Sequence, residues 1–228
     1  MLRLPTALAL AALLAAAPAR AADPEDAARE INWTSAAATA VIAGLQDKIN
    51  GGTATPADLD AAALSAAYAA AYQRLANRSL QAGGEGPVAE IRSFMARAKA
   101  EVLEAHRDDI LRGGQDAFVP AFFRAQLFDR FNAAAEGRYR AVASNRRAEL
   151  INSDSAVERL IIDPEIVALV TGLMQRGTMQ AETRVMGPRT VGYWPMTITQ
   201  PCMVCHQRNG LQQQVGQFGG ATVVIVGR

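Results

Sequence analysis

Both cysteines of this 228-residue chain, and one of its two histidines, fall within five consecutive residues. The run is Cys202-Met203-Val204-Cys205-His206, a C-x-x-C-H sequence typical of covalent haem attachment. In such a motif each thiol adds to one haem vinyl group, and the two-residue gap lets both sulfurs reach. The histidine that follows supplies the proximal nitrogen to the iron. The sequence therefore predicts one haem c, bound through Cys202 and Cys205 with His206 as the proximal ligand.

Three other kinds of site also use closely spaced cysteines. A thioredoxin-like C-x-x-C opens a helix after a parallel strand, whereas here a hairpin pattern and Pro201 precede the cysteines. A zinc site needs four ligands, and His106 is the only Cys or His outside the motif, so carboxylates would have to complete it. A plain disulfide is the third alternative. The order of so few Cys and His residues favours haem.

The sixth iron ligand is left open by the sequence. His106 would give bis-His ligation, and Met95 would give His/Met ligation with a higher reduction potential. Both lie on one face of a predicted helix, about 16 Å apart along its axis, so at most one of them can meet the iron. Core packing is the commoner role of a methionine. The remaining candidates are a vacant position or a methionine of the predicted hairpin: Met179, Met186 and Met196.

The N-terminus has the pattern of a secretory signal peptide. Arg3 precedes an apolar run over residues 4–17, and Ala19-Arg20-Ala21 fits the small-x-small cleavage rule. We therefore expect a signal peptide at 1–21 and a soluble mature protein in the periplasm or otherwise secreted. Covalent haem attachment also takes place outside the cytoplasm, so the two predictions agree. No membrane span is predicted after cleavage.

Composition indicates helices first and a sheet later. Of the 47 alanines, 43 precede residue 150, whereas Val, Ile, Thr and Gly dominate afterwards. A formal net charge of +1 gives no electrostatic case for binding nucleic acid. The predicted fold is α+β, with an alanine-rich helical region at 22–112 and a sheet-bearing haem domain at 113–228.

Periodicity and capping signals predict the individual elements. Helices are expected at 24–49, after the Thr55 cap, and at 88–111, 118–135, 154–162 and 164–176. Five of the seven phenylalanines lie in the helix at 118–135, which is more typical of plain core than of a cofactor wall. Strands are expected at 138–144, 178–186, 190–198 and 221–226, the second and third joined through Gly187-Pro188-Arg189.

The order of these features resembles a family of extracytoplasmic single-haem c-type domains with a PAS-like fold, which occur alone or as sensing portions of histidine kinases. The resemblance covers residues 86–228. The similar segments are Ile91-Arg92-Ser93-Phe94, Phe118-Val119-Pro120-Ala121, the strand from Tyr139 to Asn145, Tyr193 to Ile198 with the haem motif behind it, and Gly219 to Val224. The resemblance implies a PAS-like antiparallel sheet with flanking helices. Some family members offer a cysteine near Phe94, which this chain lacks.

Two functions are expected from these features. The first is a redox or small-gas (NO or CO) sensing haem module that acts with a membrane receptor or other partner protein. The alternative is a single-haem electron-transfer cytochrome, although small cytochromes usually carry the motif near the start of a helical chain. Enzymatic activity has little support, because no distal His/Arg pair is recognisable by spacing.

Overall fold

The computed structural model of the protein contains six helices and one four-stranded antiparallel sheet in the part of the chain that it describes, which confirms an α+β fold. The predicted signal peptide at 1–21 and helix at 154–162 lie outside this part, as do Cys205 and His206. The described residues are 23–80, 85–114, 118–145, 164–200, 202–203, 207 and 212–227.

The helices begin where the sequence offers caps and prolines. The first, α1 (Pro24–Asn50), starts behind Asp23, whose carboxylate accepts a hydrogen bond from the Glu25 backbone N–H at 3.0 Å. A proline as the first helical residue costs no intrahelical hydrogen bond, because a backbone N–H at that position would have no partner within the helix. Three further helices open in the same way: α3 (Pro87–Ala105), α5 (Pro120–Ala135) and α6 (Pro164–Gln175).

The second helix begins later than its first capping signal indicates. Thr55 and the Asp58 carboxylate close only a short 3-10 turn over Pro56–Leu59. The carboxylate of Asp60 then accepts the backbone N–H groups of the next turn, and α2 (Ala61–Ala76) starts there. Two acidic caps in succession therefore divide the predicted helix into two pieces.

The predicted helix at 88–111 is interrupted at His106. Its backbone (φ −114°, ψ 13°) is not helical, so α3 ends at Ala105 and α4 (Arg107–Arg112) begins as a separate helix. The imidazole ring stacks on Phe118, with ring centroids 4.9 Å apart, and Ile110 of α4 is fully buried. These tertiary contacts favour the break over a continuous helix.

The sheet has the order β1-β4-β3-β2, and every neighbouring pair is antiparallel. The β2–β3 hairpin turns at Gly187, whose positive φ of 61° suits glycine. The C-terminal strand pairs with both β1 and β3, so it lies inside the sheet, as its run of β-branched residues favours. The strands are β1 (Tyr139–Asn145), β2 (Glu182–Met186), β3 (Arg189–Thr197) and β4 (Phe218–Val226).

Each face of the sheet is covered by helices. Alternate residues of β4 point to opposite faces, with Val224 in one buried cluster and Val223 in the other. The first core joins the Val224 face to α1, α2, α3 and α5. The second core packs α6 against the Val223 face, mainly through Ile166 and Val170. The alanine-rich helices and one face of the sheet consequently share the first core.

The stability that Asp58 contributes to the 3-10 turn is expected to depend on pH. The Lys48 ammonium and the Thr55 N–H and hydroxyl lower the pKa of Asp58 from its ordinary 3.8 to about 2. The unfolded chain therefore binds this proton at a higher pH than the folded one. The associated stability is present above pH 3.8 and is lost as the pH falls towards 2. We expect the urea midpoint to fall more steeply in the wild type than in Asp58→Asn over this range, and parallel curves would contradict the prediction.

Candidate functional site

The C-x-x-C-H motif lies in the connection between β3 and β4. The two ends of this connection are bonded to each other: the Ile198 N–H donates to the Gln217 carbonyl at 2.8 Å, and the Gly216 N–H donates to the Ile198 carbonyl at 2.8 Å. The chain thus leaves and re-enters the sheet at one point. The base of the motif-bearing loop is fixed to the ends of β3 and β4.

Cys202 is half-buried and carries a free thiol. It lies just after Thr199, and its backbone N–H donates to the Thr199 carbonyl at 2.9 Å. Its Sγ is 3.3 Å from the Thr199 hydroxyl oxygen. A partly exposed thiol on a hydrogen-bonded turn is available to form a new bond. Cys205 and His206 lie outside the described residues, so the joint attachment of all three to one haem stays a prediction.

Arg124 brings a partly buried positive charge from α5 towards Cys202. Its Nη1 contacts the Met196 sulfur, and its Nε is buried without an acceptor among the described residues. Burial lowers the pKa of the Arg124 guanidinium to about 10, while interaction with charge on Cys202 acts in the opposite direction. A thioether is only a weak acceptor, so the described contacts leave this cation without an anionic partner.

Met196 connects the end of β3 to this guanidinium. The Thr222 hydroxyl of β4 lies 3.7 Å from the Met196 sulfur. Thr222 pairs with Trp194, two residues before Met196, so these side chains share the face of the sheet that is covered by α1 and α5. Among the candidate methionines, Met196 is therefore linked to Cys202 through Arg124.

The two principal candidates for the distal ligand lie on the helices. Met95 is fully buried within the first core, with Ile91 and Ala98 on the same helix face. His106 lies at the α3–α4 junction, where Phe118 and Phe122 pack on its ring and its Nδ1 is 3.5 Å from an Asp109 carboxylate oxygen. The described contacts of Cys202 are instead with Thr199 and Arg124. Ligation by Met95 or by His106 stays a prediction.

A second buried polar cluster joins three helices. The Glu30 carboxylate of α1 is fully buried and accepts the Tyr72 hydroxyl of α2 at 2.8 Å. It also forms ion pairs with Arg78 at 2.6 Å and with Arg92 at 2.7 Å. Arg92 additionally donates to the Tyr72 hydroxyl at 3.0 Å. The described partners of the carboxylate are all side chains of this chain, which is typical of a structural cluster.

Sequence reasoning missed Arg124 and the buried role of Glu30. The signal for Arg124 was present: a cation follows Phe122-Phe123 on a helix whose neighbouring positions are apolar. Such a residue is either exposed or paired with something that the helix itself does not supply. Glu30 gave no comparable signal, because acidic residues are common on the exposed face of a long amphipathic helix.

Searches of family models, curated proteins and solved structures find no match to this chain. Within the described residues, no three His, Cys, Asp or Glu side chains converge to hold a metal ion. The same residues contain no helix that is long and apolar enough to cross a membrane.

Proposed function

We propose that this chain is an extracytoplasmic c-type haem protein with one haem bound through Cys202 and Cys205 and with His206 on the iron. The observation that carries the proposal is the C-x-x-C-H motif, which contains every cysteine of the chain. The apolar segment at 4–17 and the small-residue cleavage pattern support export to the periplasm.

The described residues fit such a group in two respects. Cys202 is a free, half-buried thiol at the fixed base of a loop, as attachment requires. Arg124 is a partly buried cation beside it whose buried Nε has no described acceptor, and a haem carries two carboxylates. A haem c bound here would supply a redox-active iron that can also bind a diatomic gas.

Redox or gas sensing is the function that we infer for this haem. The motif is in a loop of an antiparallel sheet that has helices on both faces, which agrees with the PAS-like architecture of the sensor family that the sequence resembles. The helix α5 contacts both the sheet and α3. A change in the haem beside Cys202 could therefore be transmitted through the packing of α5 to the N-terminal helices. A partner protein in the membrane or periplasm would receive the signal.

Single-haem electron transfer is the second candidate function. The observation that favours it is Met196, a soft ligand placed with Arg124 near Cys202, since His/Met ligation raises the reduction potential of a cytochrome. A six-coordinate iron that exchanges electrons with a partner would need no free coordination position.

Optical spectra of the purified mature protein, oxidised, reduced and reduced under CO, test this function. We expect spectra of a c-type haem and a clear shift of the Soret band when CO is added to the reduced form. A reduced spectrum that CO leaves unchanged would contradict gas sensing and favour electron transfer. A protein without haem absorbance would contradict the haem proposal itself.

A further inference from the structure

The C-terminal segment that contains the motif has no acidic residue of its own. From residue 183 to the end of the chain there is neither Asp nor Glu, whereas four arginines are present: Arg184, Arg189, Arg208 and Arg228. The side chains of this segment therefore carry a net positive charge, and none of them is a carboxylate that could neutralise a cation from another element.

Arg124 of α5 adds a further cation beside Met196 and Cys202 of this segment. Its described contacts are the Met196 sulfur and the charge interaction with Cys202. A guanidinium has five N–H donors, and burying one of them without an acceptor is unfavourable. The fold therefore keeps a strong donor for an acceptor that the described residues do not provide.

Haem attachment would increase the need for that acceptor. When the Cys202 S–H adds across a vinyl C=C bond, sulfur bonds to one carbon and the hydrogen to the other, and nothing leaves. The resulting thioether cannot ionise. The haem would at the same time bring two propionate carboxylates into the same site.

We infer that Arg124 binds a haem propionate, as the positioning residue that neutralises this carboxylate and fixes the haem edge against α5. This inference rests on the proposed haem function. Guanidinium and carboxylate match as a charge-assisted, bidentate pair, which satisfies both the orphan Nε and the buried charge. The propionate is the one anionic group that a haem always carries.

Resonance Raman spectra of the reduced protein test the inference through the propionate bending band. We expect this band to shift to lower wavenumber in Arg124→Gln, because the hydrogen bond to the carboxylate is lost. Arg124→Lys keeps the charge but loses the planar fork, so its band should lie between the two. Arg130→Gln, which changes an exposed arginine of the same helix, is the matched control and should leave the band at the wild-type position.

The outcomes separate the two proposals. If denatured wild-type protein gives no haem stain, the haem function fails, and the Raman test has no haem to report on. If the stain is positive and the propionate band is identical in the wild type, Arg124→Gln and Arg124→Lys, the role of Arg124 is overturned. If Arg124→Gln does not fold, Arg124→Lys decides. A propionate band at lower wavenumber than in the wild type supports the pairing, and an unshifted band contradicts it.

Discussion

Replacing both Cys202 and Cys205 with serine is expected to abolish covalent haem completely. A serine hydroxyl is not acidic enough to supply the nucleophile that a thiol supplies, so neither thioether can form. Each single variant should retain one bond and stain more weakly. The measurement is haem staining of the denatured protein after expression with a c-type cytochrome maturation system.

The control for this prediction is Met203→Leu, between the two cysteines. It conserves volume and apolarity and keeps the spacing of the motif, so its haem stain should equal that of the wild type. Staining that persists in the double serine variant would show that the haem is held in another way. A wild-type chain that never stains would instead favour the zinc or disulfide interpretation of the same cysteines.

The ends of most elements were predictable because their signals are local. Asp23 with Pro24 begins α1, and Pro164 begins α6, as expected, whereas α5 begins at Pro120 and not at residue 118. The break at His106 was not predictable, since it depends on a ring contact with Phe118, which precedes a different helix. A periodic apolar stripe continues through that position and gives no sign of the turn.

The interior position of β4 also exceeds what the sequence indicates. Its β-branched run predicts a buried strand, but strand order depends on pairings between distant segments.

The candidate site is likewise only partly predictable from the sequence. The C-x-x-C-H motif is contiguous and therefore readable, whereas Arg124 reaches it from a helix far upstream. Of the five phenylalanines in that region, four are buried as predicted for core, and Phe122 remains 38% exposed.

Removing the charge of Glu30 is expected to destabilise the protein by about 3 kcal/mol. In Glu30→Gln the side chain keeps its shape, but Arg78 and Arg92 lose their shared anion. Arg92 is only 18% exposed at its side chain, so water replaces little of that lost interaction. Arg78 is 44% exposed and recovers part of its hydration, which puts the cost at the lower end for a broken buried ion pair. Urea unfolding followed by circular dichroism measures the effect.

Two variants make the Glu30 experiment specific. Tyr72→Phe removes one hydroxyl from the cluster but no charge, and should cost about 1–2 kcal/mol. Arg29→Gln removes an exposed ion pair with Glu25 from the same helix, and should cost less than about 1 kcal/mol. Equal urea midpoints for Glu30→Gln and Arg29→Gln would contradict a buried ionic cluster. The expected order, with Glu30→Gln the least stable, follows because only this variant removes the anion that Arg78 and Arg92 share.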